Sequence, residues 1–173
     1  MKMKSVFKIC LLAAFVLTAV FVSAQSLKFG HIDTQQLLQV MPERATAETT
    51  LQKVGKDLED QQTTIRTEYE AKLQNYIAKR DSLSDVALAN IEQELQDMQQ
   101  RAENFRQLAV QQYQTKQGEL MKPIIEKINK TIETVAKEQG LIYVFDTQQG
   151  SPVLYKSNQS IDLLPLCKTK LGI

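Results

Sequence analysis

The chain has 173 residues, with 21 basic and 20 acidic side chains and no tryptophan. The absence of a basic excess argues against nucleic-acid binding driven by bulk charge. A hydrophobic fraction of 43% is too high for wholesale disorder. The length is that of one domain.

The first 24 residues predict a secretory signal peptide. Three lysines precede a mostly apolar run at residues 9–22, and small residues at Val22-Ser23-Ala24 suit cleavage after Ala24. A retained membrane anchor is the alternative, but a spanning helix needs about 20 apolar residues. We therefore expect an exported chain of residues 25–173 with no integral membrane segment.

Residues 27–33 (LKFGHID) predict a short strand, and residues 34–139 are almost free of Gly and Pro. In this zone apolar residues recur at spacings of three and four, the pattern of a coiled-coil-like seam. Gln61 or Gln62 fills the seam position between Leu58 and Ile65 that lacks an apolar residue. The seam residues are Leu51, Val54, Leu58, Ile65, Tyr69, Leu73, Tyr76 and Leu83, then Leu88, Ile91, Leu95, Met98, Ala102, Phe105, Ala109, Tyr113, Leu120, Ile124, Ile128 and Val135.

The segment Asp81-Ser82-Leu83-Ser84-Asp85 interrupts this zone and predicts a turn followed by a new helix N-cap. We therefore expect two long antiparallel helices, an arm at residues 43–139 with its tip at about 81–85. The alternative, one unbroken helix, would separate the flanking strands by more than about 100 Å. Each strand would then be unsupported.

Gly118 and Pro123 fall inside the second predicted helix. Proline lacks the N–H group and clashes one turn back, so it bends or breaks a helix. The pair predicts either a fixed kink where the arm joins the body or a hinge that lets the arm move.

The tail after the arm predicts a compact end. Gly140 closes the helix, and Leu141–Phe145 is a continuous apolar run that predicts a strand buried on both faces. After a turn, Val153–Tyr155 predicts a returning strand. Ser160 or Asp162 then caps a last short helix.

The three strands hold about 15 residues, too few to bury a core alone. We therefore expect self-association, in which several copies share one β core. The expected fold is mainly α with a small β part (α+β). A long antiparallel helical hairpin projects from an oligomeric body formed by residues 25–42 and 140–173, and a short C-terminal helix ends the chain. The candidates for the oligomer core are Phe29, Ile32, Ile142, Val144, Phe145, Val153 and Leu154.

The sequence offers little for catalysis. His31 is the only histidine, with no Ser or Cys nucleophile nearby, and it does not form a metal site with the distant Cys167. No glycine-rich phosphate loop is present. We expect no enzyme and no cofactor. Cys167 shares an apolar helix face with Leu163 and Leu171, which predicts a buried thiol.

The arm carries aromatic residues that either fill the seam or contact a second polypeptide. Apolar residues just off the seam suit such contact better. The contact candidates are the aromatic Tyr69, Tyr76, Phe105 and Tyr113 and the off-seam Ile77, Val86, Leu108 and Val110.

From about residue 27 to residue 171, the chain resembles the Skp/OmpH family of periplasmic chaperones. The resemblance is most specific at the two ends of the arm and in the tail. Leu164 and Cys167 stand where the family usually has Thr and Val. The segments that carry the resemblance are Phe29–Asp33, Leu37-Leu38, Met41-Pro42-Glu43, Leu120–Ile124, Gly140–Asp146, Ile161–Leu163, Pro165-Leu166 and Leu171.

The resemblance implies a periplasmic homotrimer whose arms enclose a cavity for unfolded outer-membrane proteins, held without ATP. It implies no catalytic residue. The family's best-known members are strongly basic, whereas residues 43–139 here hold 14 basic and 17 acidic side chains. Charge steering towards lipid or acidic clients should therefore be weak. The alternative is a periplasmic scaffold that spaces two envelope components, with tight seams and little exposed apolar surface.

Overall fold

A computed structural model describes residues 27–173, so the predicted signal peptide lies outside the described residues. The chain is mainly helical with a small sheet, which confirms the predicted α+β class. In chain order its elements are β1 (Phe29–Ile32), α1 (Thr34–Gln39), α2 (Pro42–Lys79), a 3₁₀ turn (Arg80–Ser82), α3 (Asp85–Gln139), β2 (Tyr143–Asp146), β3 (Ile161–Asp162) and α4 (Leu164–Leu171).

The helix ends follow local chemistry. Asp33 caps α1 by accepting a hydrogen bond from the Gln36 N–H at 2.9 Å. Ser84 caps α3 by accepting from the Ala87 N–H at 3.4 Å. Gly140 ends α3 in the left-handed conformation, at φ +65°, which a residue with a Cβ adopts only at a cost. The predicted cap at the tip and the glycine stop are both confirmed.

Helices α2 and α3 are antiparallel neighbours, which confirms the hairpin and makes the single-helix alternative wrong. With 38 and 55 residues, they are about 57 and 82 Å long. Leu51, Ile65 and Leu95 are buried in the seam between them. Gln61 and Gln62 are both exposed, and a cavity of about 440 Å³ lies between the helices beside Gln62.

Polar contacts between α2 and α3 fix the register of the hairpin. Arg101 pairs with Glu68 at 3.0 Å, and Gln99 donates to the Tyr69 hydroxyl at 2.7 Å. The Tyr76 hydroxyl donates to Glu92 at 2.5 Å, and this bond raises the pKa of Tyr76. An exposed ion pair such as Arg101–Glu68 contributes at most about 1 kcal/mol, so these contacts set register more than stability.

The sheet has the order β2-β1-β3, and both pairings are parallel. The predicted returning strand at Val153–Tyr155 is wrong, because residues 147–160 form no strand. Both edges of β1 are already paired, one with β2 and the other with Ile161–Asp162, a strand that the sequence did not predict. The 153–155 segment therefore has no free β1 edge within the chain.

A hydrophobic core lies where the sheet, α1 and α4 meet the base of the arm. Its buried residues are Ile32, Leu37, Met41, Ala47, Ile124, Ile128, Val135, Leu163 and Cys167. One chain therefore forms a hydrophobic core by itself, since the body end of α3 supplies apolar side chains, and a β core shared between copies stays a prediction. The strand at 141–145 is also not buried on both faces: Val144 packs towards the core, but Tyr143 is 64% exposed.

Gly30 is required by close packing in β1. A Cβ at this position would lie 2.5 Å from Leu163 Cδ1 and 2.6 Å from Leu141 Cδ1.

We expect Gly30→Ala to lower the free energy of unfolding by about 1–3 kcal/mol, the usual cost of overpacking. Gly118→Ala is the matched control, because apart from the neighbouring backbone of its own helix no atom lies within 4 Å of its Cβ position. It should raise the free energy by about 0.5–1 kcal/mol, since alanine is the better helix former. Urea unfolding of both variants checks this, and an unaffected Gly30→Ala variant would contradict the packing.

Cys167 is a free cysteine in the core, as predicted. Burial raises the pKa of its thiol to about 11, so at pH 8 the thiol stays protonated and out of reach. In a chain that begins at Gln25, Cys167 is the only cysteine. We expect almost no reaction with a maleimide at pH 8 until urea unfolds the protein. Rapid labelling of the folded chain would contradict this packing.

Candidate functional site

Three aromatic rings stack on the outer surface of the sheet, and we call Phe29, Tyr143 and Phe145 the aromatic face. The ring centroids are 6.5 Å apart for Phe29 and Tyr143, 6.3 Å for Phe29 and Phe145, and 6.1 Å for Tyr143 and Phe145. All three side chains are exposed. They share one face because side chains in a strand alternate and β1 pairs Phe29 directly with Tyr143.

The other oligomer-core candidates divide between the core and the surface. Ile32 is fully buried within the chain, and Val144 packs against the core. Ile142 is exposed, Leu154 is 100% exposed, and Val153 is half-buried. Tyr143 and Tyr155, which were not predicted as oligomer-core residues, are both exposed. The sequence signal for Tyr143 was its spacing of two residues from Phe145, which places both side chains on one face of a strand.

The eight contact candidates on the arm also fall into an exposed group and a half-buried group. Ile77, Val86, Leu108 and Val110 are exposed on the outside of the hairpin. By contrast, Tyr69, Tyr76 and Phe105 are half-buried in or beside the seam. Tyr113 lies at the boundary between exposed and half-buried. One of its ring carbons is 3.5 Å from the Cβ position of Gly55 on the facing helix.

Helix geometry places the exposed arm residues on more than one face. Leu108 and Val110 are two positions apart, about 200° around the helix, so they point in nearly opposite directions. Val110 and Tyr113 are three positions apart and share a face. The arm therefore presents separate apolar positions in several directions instead of one stripe.

The base of the arm contains the two hinge candidates. Gly118 is exposed, and Pro123 lies within the continuous helix α3. Pro123 also lines a mostly apolar hollow of about 370 Å³ between α2 and α3. An ion pair between Glu43 and Lys127 borders this hollow, and it lowers the pKa of Glu43. The kink and the hinge both stay predictions for this pair.

The described residues hold no arrangement typical of a metal centre. Across residues 27–173, no three His, Cys, Asp or Glu side chains are placed to bind one ion. His31 instead contacts Ser160 and Lys156 through its two ring nitrogens. Within the same range, no helix combines the length and apolar character needed to span a bilayer.

The long hairpin, with apolar positions on its surface and a small body of sheet and short helices at its base, defines a class of helical-arm proteins. The family model described as outer membrane protein (OmpH-like) matches residues 28–171, so the chain belongs to the OmpH-like family. No curated protein matches the chain.

A solved structure with the same fold is that of a candidate outer membrane chaperone (OmpH-like) from Caulobacter crescentus CB15. The TM-score is 0.72 at 14% sequence identity, and the match covers 84% of this chain and 83% of that one. At this identity the likeness establishes the fold alone.

Proposed function

We propose that this protein is a periplasmic, ATP-independent holdase chaperone that binds unfolded outer-membrane β-barrel proteins and prevents their aggregation. The observation that carries the proposal is the set of apolar side chains exposed off the seam: Ile77 at 58%, Val86 at 73% and Val110 at 55%. Membership of the OmpH-like family supports it. The signal peptide expected at residues 1–24 would deliver the chain to the periplasm.

The mechanism follows from weak and non-directional contacts. An unfolded β-barrel chain exposes alternating apolar residues, and each contact removes apolar area from water at about 25 cal/mol per Å². Single contacts are therefore weak, and several arms acting on one client hold it by avidity. Weak contacts also permit release to the client's more stable folded state without ATP.

The aromatic face supports self-association of the body. Its three rings are exposed, and the exposed Tyr155 lines the same cavity as Phe29 and Phe145. Contiguous exposed apolar patches of this kind mark interaction surfaces. We propose that copies of the chain cover this face in a homotrimer, with the number three resting on the family resemblance. The arms of the three copies would then enclose the space in which a client is held.

The scaffold alternative expects little accessible apolar surface on the arms, and the exposed Val86 and Val110 disfavour it. A dye that fluoresces on apolar surface tests the proposal directly. We expect bright fluorescence with the native protein, because apolar side chains of the arms are exposed. Dim fluorescence, comparable to that of a tightly packed coiled coil, would favour the scaffold.

A further inference from the structure

A groove between α2 and α3 crosses the middle of the arm, and we call it the mid-arm groove. It is the cavity of about 440 Å³ beside Gln62, a volume within the range of ligand pockets. Gln62 stands where the seam lacks an apolar residue, and the small Ala102 lines the α3 side. No residue of α3 between Leu95 and Ile124 is buried. The two helices therefore leave room here for a large side chain of another molecule.

The charged groups of the mid-arm groove balance. Arg66 and Arg106 line it together with Glu59 and Glu103. Arg106 pairs with Glu103 at 3.1 Å, but Arg66 reaches only Glu70, at 3.8 Å, which is too far for a hydrogen bond. Because the four charges that line the groove cancel, it favours a neutral ligand over an anion or a cation.

Glu59 supplies the groove with a hydrogen-bond acceptor. The neighbouring Lys56 pairs with Asp60 at 3.0 Å instead, and across residues 27–173 Glu59 takes part in no ion pair or hydrogen bond. An ionised carboxylate only accepts hydrogen bonds. Its complement on a neutral ligand is therefore an N–H or O–H group.

The rest of the groove suits an aromatic ring. Tyr69 is half-buried, and Gln99 donates to its hydroxyl at 2.7 Å, which fixes the ring at the wall of the groove. A guanidinium such as that of Arg66 stacks on aromatic faces, and aromatic rings also pair with one another. A saturated side chain gains neither contact.

From these groups we infer that the mid-arm groove binds a tryptophan or tyrosine side chain of an unfolded outer-membrane β-barrel protein. The ring would lie against Tyr69 and Arg66, and its N–H or O–H group would donate to Glu59. Transmembrane β-barrels carry girdles of aromatic residues at both membrane interfaces, so such clients supply these side chains. The identity of the client rests on the proposed function, whereas the choice of side chain rests on the groove.

The chain contains no tryptophan, so indole fluorescence excited at the red edge of its absorption reports a bound ligand without background from the protein. The anisotropy of N-acetyl-tryptophanamide would be followed as residues 25–173 are added, with no client present. We expect saturable binding, which N-acetyl-tyrosinamide displaces at least about fivefold more effectively than N-acetyl-leucinamide does.

An absence of saturation, or equal displacement by the tyrosine and leucine amides, would overturn the inference. Because no client takes part, this result is independent of the holdase function. A protein that suppresses client aggregation but shows either of these two results would lose the aromatic site and keep the holdase function.

Two variants test the position of the site. Arg66→Gln removes the guanidinium, and we expect about two- to fivefold weaker binding of N-acetyl-tryptophanamide. Arg80→Gln, at an exposed position in the turn at the tip, is the matched control and should bind normally. Ala102→Leu fills the groove from α3 and should weaken binding by at least about tenfold. The unfolding midpoint of each variant is measured first, and unchanged affinity in folded Arg66→Gln or Ala102→Leu protein would contradict this placement.

A pair of clients extends the test to unfolded chains. One is an outer-membrane β-barrel protein, and the other is the same protein with its girdle tryptophan and tyrosine residues replaced by leucine. We expect Arg66→Gln to weaken binding of the first client and to leave binding of the second unchanged. Equal weakening for both clients would contradict recognition of aromatic side chains.

Discussion

Replacing Tyr143 by glutamate should convert the proposed oligomer into monomers at micromolar concentration. Tyr143 lies on the aromatic face and is mostly exposed in the single chain, so the substitution leaves the core of each chain intact. In an oligomer that covers this face, each copy would bury an unpaired carboxylate, which costs several kcal/mol per copy. Sedimentation velocity of residues 25–173 measures the change in mass.

Val110→Glu is the matched control for this experiment. It places the same charge at a similarly exposed apolar position, but on the arm and away from the body. We expect this variant to keep the mass of the native protein. The proposed interface would be contradicted by an unchanged mass in Tyr143→Glu, or by a native protein that is already monomeric.

The second large effect is expected on client binding by the arms. Replacing Ile77, Val86 and Val110 together by serine should weaken binding of an unfolded outer-membrane protein by at least about tenfold, because each substitution removes apolar area worth about 1 kcal/mol. The side chains are exposed and lie off the seam, so the hairpin and the oligomer should persist. Fluorescence anisotropy of a labelled, urea-unfolded client measures the affinity.

A triple variant at exposed polar positions of the same arm provides the control. Gln74, Gln96 and Gln111 are exposed on α2 and α3, and their replacement by serine exchanges one polar side chain for another. We expect native affinity from this control. If the apolar triple variant binds the client as tightly as the control does, then these three residues are not the contact surface.

The arm could be predicted from the sequence because its determinants are local. The spacing of Leu88, Ile91 and Leu95 defines a helix face, and the Ser84 cap needs only its own neighbours. The pairing of the two helices could also be predicted, because two apolar seams separated by one turn can bury each other.

The body was predicted less well because its contacts are far apart in the sequence. The pairing of β1 with Ile161–Asp162 joins residues about 130 positions apart, and nothing local marks a two-residue strand. The contact between Lys156 and His31 spans 125 positions. Likewise, the core position of Ile128 depends on how the base of α3 packs on α1 and α4, which periodicity alone does not specify.

The exposed faces of the sheet show the same limit. The run Leu141–Phe145 is apolar throughout, and such a run is ordinarily buried on both sides. Within one chain only the Val144 side is covered, and Tyr143 and Phe145 remain exposed. Sequence reasoning assigned this apolar contact to a core shared with other copies of the chain, and the exposed Phe145 is one of the candidates for that contact.

The most direct test of the holdase proposal is suppression of aggregation. A urea-unfolded outer-membrane β-barrel protein is diluted out of denaturant, with and without residues 25–173, and light scattering is followed in the absence of nucleotide. The proposal predicts that scattering is suppressed and that the effect saturates near three chains per client. Undiminished scattering at a large excess of the protein would contradict the holdase function.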